Sequence, residues 1–502
     1  MLFIIFYIFL SGTNIFLGII NYSLGNVDTA LYQTSLWQAG QLMNPKYHFW
    51  GFLNYETFTQ NHIMPMGFIY GLFYRIFPSM HLTGVLYIVV YSLSTILIYK
   101  IVNTILKNNL YASLFAIAHN LYFFKPIHHF YPLDDFAVLF ISGGIYYFLR
   151  NNLKIATLFF VIVMMHKEYY GLAISSLFFS LIMFSIMKMD KKSIKIWYKN
   201  SSNSLFLLSW FTVGILWFII SLFIMIRTGG SEWANDSLFQ TVGGVLGPII
   251  NISNFIHILF ERLLHPINIY FIIYLLIPFC FFSLVGLEYL FAIVPIILIL
   301  VLTDDFHATK SAVGHYTIWL SPFITTSAAF GLKRMLEYFK SIIKIKILVL
   351  ICLMITIFYY SYSGIRLHAY YIKGRILENY AFVDHRNDIR NIIHKIPSNS
   401  KLAADDRLLP FLADRKYLYS LSMIENGKPD FILRDYFQKH KLELNRDIYG
   451  ANFLKTYSIP TTQFYNSKNW DKINMDQQYF GKYELVIRSG AIALYSIIEL
   501  NR

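Results

Sequence analysis

Clusters of acidic, histidine and lysine residues interrupt the apolar stretches of this sequence. The densest contains His128, His129, Asp134 and Asp135 within eight consecutive positions. Two imidazoles and two carboxylates could hold a divalent cation, because hard cations favour carboxylate oxygens and imidazole suits borderline metals. Adjacent residues rarely point at one ion, however, and Asp134 could cap the helix that follows. The pattern leaves a metal site, a supporting cluster and a helix cap as alternatives.

A second cluster, His166-Lys167-Glu168, separates two apolar runs and must therefore form a very tight turn. A lysine in such a turn can neutralise a phosphate or pyrophosphate, with the glutamate orienting it. The alternative is a simple kink in which Lys167 and Glu168 pair with each other. Three ionisable residues at an apolar boundary are costly, which favours a functional role.

Single ionisable residues earlier in the chain offer further chemistry. Asp28 follows the first apolar run and could act as a general base that takes a proton from an attacking hydroxyl. It could equally cap a helix. His62, three residues before Pro65, could bind a phosphate oxygen or a metal, or be a hydrogen-bonded structural residue.

Another polar group lies in the last third of the chain. Asp304, Asp305 and His307 lie at one end of a short loop, and His315 and Tyr316 lie at the other. These residues could close over a substrate. The aspartates fit a solvated loop equally well, whereas His315 and Tyr316 enter an apolar stretch and favour function.

The composition indicates whether these residues belong to a soluble protein or to a membrane protein. The chain of 502 residues is 56% hydrophobic and only 14% charged, which is too apolar for a typical soluble protein. The net charge of +14 does not indicate nucleic-acid binding, because the basic residues lie in short loops rather than in one patch with aromatic platforms. Cys280 and Cys352 lie far apart within apolar stretches and indicate neither a disulfide framework nor a cysteine metal site.

Apolar stretches of near-membrane length predict about eleven transmembrane helices. They lie near residues 2–20, 82–104, 110–124, 135–149, 153–165, 169–187, 204–226, 267–283, 286–302, 315–332 and 345–363. The first lacks a basic leader and is interpreted as a retained helix rather than a signal peptide. The pair at 267–302 is the weakest assignment, since no basic residue separates its members.

The positive-inside rule predicts a multi-pass protein of the cell membrane with a cytoplasmic amino terminus. Basic residues such as Lys107, Arg150 and Lys333 then lie in cytoplasmic loops, where Glu288 is interpreted as a solvated charge. The outside receives residues 21–81, 125–134, 166–168, 227–266 and 303–314. We expect an all-α polytopic membrane domain over residues 1–363, with interfacial helices within 21–81, and a small α/β extracytoplasmic domain over 364–502. Near its end, Tyr483–Arg488, Ser489–Gly490 and Ala491–Ile498 predict two strands joined by a turn.

Nucleotide-binding motifs are missing from the sequence. It contains no Walker-type GxxxxGK[ST] and no GxGxxG placed after a strand. ATP-driven transport and dinucleotide chemistry therefore have no support from motifs.

Taken in order, the motifs resemble an uncharacterised family of archaeal and bacterial predicted membrane proteins, classed as a domain of unknown function and related to the GT-C glycosyltransferases. The resemblance spans almost the whole chain. The matching positions are Asp28, Gln33, Leu36-Trp37, His62, Pro65, Phe130-Tyr131-Pro132, Asp135-Phe136-Ala137, Lys167-Glu168, His315-Tyr316, Pro322, Ile396-Pro397, Ala404-Asp405 and Asp414-Arg415. Tyr131 stands where the family usually has a histidine, and His128 or His129 could substitute for it.

This resemblance implies an inverting transfer of a sugar from a polyprenyl-phosphate carrier to an acceptor on the outer face. Membrane lipid, the lipid-linked donor and an unidentified glycan, lipid or protein acceptor would be the partners. Asp28 would be the general base. The expected phosphate or substrate contacts are Gln33, His62, Lys167, Glu168, His315 and Tyr316, and the cluster of His128, His129, Asp134 and Asp135 would support the site or hold a divalent metal.

Two other classes of function compete with this interpretation. A transporter or flippase of lipid-linked saccharides would also be polytopic, but such proteins often have charged residues near mid-membrane rather than at one boundary. An outer sensor or scaffold on a membrane anchor would not need so many apolar stretches.

Overall fold

The computed structural model describes most of the apolar stretches and the core of the C-terminal region. The described residues are 2–20, 27–42, 62–77, 80–123, 135–187, 202–228, 252–302, 318–339, 347–359, 362, 369, 372–373, 383–405, 408–421, 429–435, 483–489 and 492–497. His128, His129, Asp134, His315 and Tyr316 lie outside them.

Helices dominate the described chain, as the long apolar runs predict. In order they are α1 (Leu2–Ile20), α2 (Val27–Gly40), α3 (Met66–Ile76), α4 (Met80–Leu106), α5 (Asn109–Phe123), α6 (Ala137–Leu149), α7 (Leu153–Met164), α8 (Tyr170–Met187), α9 (Ser202–Arg227), α10 (Ile252–Leu264), α11 (Pro266–Leu276), α12 (Leu287–Leu290), α13 (Val294–Leu302), α14 (Ser321–Tyr338), α15 (Ile347–Tyr359) and α16 (Val383–Ile393). Every one of the expected apolar stretches overlaps one or more of these helices.

Fewer of these helices are long enough to cross a membrane alone. Within the described residues, Leu82–Leu106, Tyr170–Met187 and Ser204–Arg227 meet the length and apolarity of a span, and α10 with α11 would make a fourth if that bent pair is one span. The apolar segments Ile8–Ile20, Ala137–Leu149, Leu153–Met164, Leu287–Leu302 and Ile347–Tyr359 are shorter. The protein is therefore mostly helical with three or four candidate spans in this part of the chain, and the expectation of eleven crossings goes beyond what helix length supports.

The pair of stretches at 267–302 forms short helical pieces rather than two continuous helices. Positive φ angles of 49° at Cys280 and 58° at Phe281 break the first stretch, and 3₁₀ turns at Ile277–Phe279, Phe282–Leu284 and Phe291–Ile293 flank α12. A Cβ on Gly286 would lie 1.9 Å from the Ser327 carbonyl oxygen, so this segment packs directly on α14.

The prediction for Glu288, in the turn between this pair of stretches, is wrong. We expected a solvated charge, but Glu288 is buried and forms an ion pair with Arg334 on α14. The Arg334 guanidinium also donates to the Val285 carbonyl at 2.6 Å. The expectation failed because Arg334 lies 46 residues downstream, and nothing near Glu288 in sequence indicates a cationic partner.

The C-terminal region contains the expected small sheet. Its strands are β1 (Leu402–Ala404), β2 (Leu418–Ser420), β3 (Phe431–Asp435), β4 (Tyr483–Ser489) and β5 (Ile492–Ile497), in the order β2-β1-β3-β5-β4. The pairs β1–β2 and β1–β3 are parallel, whereas β3–β5 and β4–β5 are antiparallel. The predicted strand pair near residues 483–498 is thereby confirmed. We call the unit of α16 and these strands the C-terminal sheet.

The C-terminal sheet shares a hydrophobic core with α2 and with the segment around α3. Leu36, Met64, Met66 and Tyr74 lie in one buried cluster with residues of α16 and strands β1, β2, β3 and β5. The Gln38 amide also donates to the Lys416 carbonyl at 3.1 Å. These contacts hold α2, α3 and the sheet together at one end of the helical bundle.

Candidate functional site

A tight turn joins α7 to α8 at that same end of the bundle. Ile162 of α7 and Met165, which follows that helix, pack against the cluster that contains the C-terminal sheet. The turn closes through backbone bonds from His166 N to Val163 O at 3.0 Å and from Gly171 N to Glu168 O at 3.2 Å. We call residues 165–169 the α7–α8 turn, and its position confirms the turn expected from the sequence.

Glu168 connects this turn to the chain that precedes α3. Its Oε1 lies 2.9 Å from His62 Nδ1, and its Oε2 accepts from the Ile63 amide at 3.2 Å. Glu168 is fully buried and His62 is nearly so. The carboxylate therefore holds the 62–63 segment instead of pairing with its neighbour Lys167, as the kink interpretation expected. His62 fits its hydrogen-bonded structural interpretation.

His166 makes a second connection, to α3 itself. Its Nδ1 lies 2.7 Å from the Ile162 carbonyl oxygen, which can only accept, so Nδ1 carries the proton in the neutral ring. Nε2 then accepts from the Tyr70 hydroxyl at 2.8 Å. Burial raises the pKa of Tyr70 well above its ordinary value, which keeps that hydroxyl protonated. The tautomer and the orientation of the His166 ring are thereby fixed.

Lys167 lies between these two bonded residues and is fully buried. Its Nζ lies 5.4 Å from the centre of the Tyr169 ring, within the range of a cation–π interaction. Tyr169 stacks in turn on Trp319, with ring centres 5.5 Å apart. Removing an ammonium from water costs several kcal/mol, so a buried lysine at the end of an apolar bundle favours a role with an anion.

Asp135 forms a second polar contact near the α7–α8 turn. It is buried, and its carboxylate accepts from the Tyr87 hydroxyl of α4. The ring of Phe136 contacts both Tyr87 and Tyr70, with ring centres 5.1 and 5.5 Å apart. Asp135 is therefore linked to the Tyr70–His166 pair through the rings of Tyr87 and Phe136.

Asp28 and Gln33 both lie on α2. Asp28 is the second residue of the helix, inside its first turn rather than at the residue before it, and its side chain lies outside the described residues. A carboxylate in the first turn of a helix also interacts favourably with the positive end of the helix dipole. Gln33 is fully buried.

Helix α2 is tied to the α7–α8 turn through α3. A Cβ on Gly40 would lie 2.2 Å from the Gly71 carbonyl oxygen, so α2 and α3 cross with their backbones in contact. The Met66 amide at the start of α3 donates to the Met165 carbonyl at 2.9 Å. The helix that carries Asp28 and the turn that carries Lys167 thus belong to one packed unit.

Metal binding by the histidine and aspartate cluster remains a prediction. Among the described residues, no group of three or more histidine, cysteine or acidic side chains could hold a metal ion. Of that cluster, Asp135 is described, and His128, His129 and Asp134 are not.

Several polar partners in this arrangement were not predicted. The sequence placed His166 in the turn but gave it no ligand role, and it gave no role to Tyr70 or Tyr87. The available signal was the presence of these tyrosines on apolar helices, where a hydroxyl requires a partner. Nothing in the sequence indicates which partner each one has.

The chain matches the family described as "Predicted membrane protein (DUF2079)" over residues 21–461. The chain belongs to this family. The matched range contains α2, α3, the α7–α8 turn and Asp135, which form the described part of the site, and also strands β1 to β3. Family membership gives a membrane protein of unknown function. No curated protein matches the chain.

Proposed function

We propose that this protein is a membrane glycosyltransferase that moves a sugar from a polyprenyl-phosphate carrier to an acceptor on the extracytoplasmic face. The observation that carries the proposal is the fully buried Lys167, fixed between two hydrogen-bonded residues at one end of an apolar bundle. A lipid phosphate is an anion that belongs at this depth. The GT-C relationship implied by the motif order supports the same reaction.

In the proposed reaction, Asp28 takes the proton of an acceptor hydroxyl while the oxygen of that hydroxyl attacks the anomeric carbon of the donor sugar. The bond between that carbon and the phosphate oxygen breaks, and polyprenyl phosphate leaves with the bonding electrons. The anomeric configuration is inverted. Lys167 stabilises the charge that develops on the phosphate, while Glu168 and His166 hold the turn in place. His315, Tyr316, Gln33 and His62 are the further proposed contacts.

The topology proposed with this function has eleven spans, a cytoplasmic amino terminus and an extracytoplasmic C-terminal domain. Helices overlap all eleven apolar stretches. The packing of α2, α3, the α7–α8 turn and the C-terminal sheet at one end of the bundle supports a common side for them.

The reaction is tested with purified protein in vesicles that contain radiolabelled polyprenyl-phosphate monosaccharides. The measured products are the labelled acceptor and free polyprenyl phosphate. Asp28→Asn removes the base and should lower turnover about 100-fold or more. The matched control is Asp384→Asn, because Asp384 is exposed on α16. Full activity in the Asp28→Asn variant would refute the assignment of the base.

The role of Lys167 is tested by Lys167→Met in the same vesicles. Loss of a charge-assisted phosphate contact should raise the KM for the donor roughly tenfold or more. Lys154→Met is the matched control, since Lys154 is exposed at the opposite end of α7. An unchanged KM in a folded Lys167→Met variant would contradict phosphate binding there. Loss of activity on chelation, with recovery only on adding a divalent ion, would support the metal interpretation of Asp134 and Asp135.

A transporter or flippase of lipid-linked saccharide is the second candidate. The break at Cys280 and Phe281 favours it, because broken helices are common in transporters. Movement of a fluorescent lipid-linked sugar between leaflets, without release of polyprenyl phosphate, would support transport over transfer.

A further inference from the structure

Helix α10 has an unusual distribution of exposed residues. Ile252, Ile256, Phe260 and Leu264 are 62%, 46%, 60% and 69% exposed. Four-residue spacing places them along one stripe of the helix. None of the 13 residues of α10 is buried. The helix therefore presents a long apolar stripe that the described part of the chain does not cover.

The neighbouring strip of the exposed surface of α10, about 100° further round the helix, is polar. His257 and Glu261 are exposed there, one turn apart. If α10 were part of a span, this imidazole and this carboxylate would face hydrocarbon, which costs several kcal/mol per group. A helix with one apolar and one polar face instead fits the boundary between hydrocarbon and headgroups.

The position of α10 in the fold points to the same boundary. It meets α11 at a bend of 66°, so the two helices cannot both run along the bundle. The side chain of Asn268, near the start of α11, donates to the Arg262 carbonyl at 2.6 Å and to the Val301 carbonyl at 3.4 Å. These bonds fix the bend beside the end of α13.

A second exposed apolar surface lies on α11, beyond the bend. Ile269, Tyr270 and Ile273 are 40%, 66% and 41% exposed, and the exposed His265 lies at the bend between them and the stripe on α10. The chain belongs to a family of membrane proteins, in which lipid covers exposed apolar helix surfaces. An apolar stripe beside a polar strip is the pattern that binds lipid acyl chains at the interface, which identifies them as the occupant of the stripe.

We propose that α10 lies in the plane of the membrane interface, with Ile252, Ile256, Phe260 and Leu264 against lipid acyl chains and with His257 and Glu261 toward water. The proposal concerns a surface away from the α7–α8 turn and does not depend on the reaction. It also means that α10 and α11 are an interfacial helix and a membrane helix rather than one bent span.

The proposal is tested by nitroxide labelling of Ile256→Cys, His257→Cys, Phe260→Cys and Glu261→Cys. The full-length background has Cys280→Ser and Cys352→Ser, and is used after its unfolding curve matches that of the parent. The protein is reconstituted in phosphatidylcholine vesicles with phosphatidylglycerol. Power saturation with oxygen, which partitions into lipid, is compared with saturation by a water-soluble nickel chelate.

Two further labels calibrate the measurement. Val213→Cys on α9 is 43% exposed at an apolar position and serves as the lipid reference. Asp384→Cys on α16 serves as the water reference because it is exposed. Both references belong to the same chain and the same vesicles, so they share any error in reconstitution.

Four patterns of accessibility decide between the arrangements. An oxygen-to-nickel ratio above one at positions 256 and 260 and below one at 257 and 261 supports the proposal. A ratio above one at all four positions indicates a bent span and overturns it. A ratio below one at all four indicates a helix in water and also overturns it. Low access of both reagents at 256 and 260, with spin–spin broadening, indicates a second copy of the chain and overturns the lipid assignment.

Discussion

Replacing Glu168 tests how the α7–α8 turn is held. Glu168→Ala removes two hydrogen bonds to a buried carboxylate, from His62 at 2.9 Å and from the Ile63 amide at 3.2 Å. Hydrogen bonds to charged groups contribute about 1.5 to 3 kcal/mol each, and the donors left behind are buried, so the free energy of unfolding should fall by about 3 to 5 kcal/mol. Glu168→Gln keeps an acceptor of similar shape and should cost about 1 to 2 kcal/mol.

The measurement is an SDS titration in mixed micelles, followed by tryptophan fluorescence. Glu337→Ala is the matched control, because Glu337 is exposed and its carboxylate lies 3.9 Å from the ammonium of Lys333, which is also exposed. An exposed pair of this kind contributes about 0 to 0.5 kcal/mol. If Glu168→Ala shifts the unfolding free energy no more than Glu337→Ala does, Glu168 does not tie the turn to the 62–63 segment.

Two other contacts make comparable predictions for the same titration. Gly40→Ala forces a Cβ against a backbone carbonyl of α3 at 2.2 Å and should lower the free energy of unfolding by about 1 to 3 kcal/mol. In the control Gly12→Ala, the new Cβ meets only the flexible end of Ile88 at 3.2 Å, so stability should change by less than about 1 kcal/mol. Equal effects of the two substitutions would argue against the close crossing of α2 and α3. Arg334→Met leaves the Glu288 carboxylate buried without its cation and should lower the free energy of unfolding by about 2 to 4 kcal/mol. Lys333→Met is the control, because Lys333 is exposed. A loss below about 0.5 kcal/mol for Arg334→Met would show that the ion pair is not stabilising.

The sequence predicts local structure here better than it predicts partners. Apolar runs predicted the helices, and the three consecutive ionisable residues at 166–168 predicted the tight turn. Two short segments on either side of Ser489-Gly490 predicted the β4–β5 pair. Each of these features depends on residues that are close in sequence, so the spacing of apolar residues and the positions of turn residues are sufficient to identify it.

The polar contacts of the site are long-range and could not be read in this way. His62 and Glu168 are separated by 106 residues, and Tyr87 and Asp135 by 48. A buried polar group requires a partner, but this requirement does not say which one it takes. Glu288 shows the same limit, since its apolar sequence neighbours gave no sign of Arg334.

The described contacts explain why the chain needs more than its apolar helices to hold Lys167. The turn is bonded to the 62–63 segment by Glu168 and to α3 by His166. Helix α3 contacts α2 at Gly40 with no room for a side chain between them. Because such close-packed contacts do not deform continuously, the turn, both helices and the C-terminal sheet must move together or not at all. The C-terminal sheet is therefore part of the packing that supports the turn with Lys167.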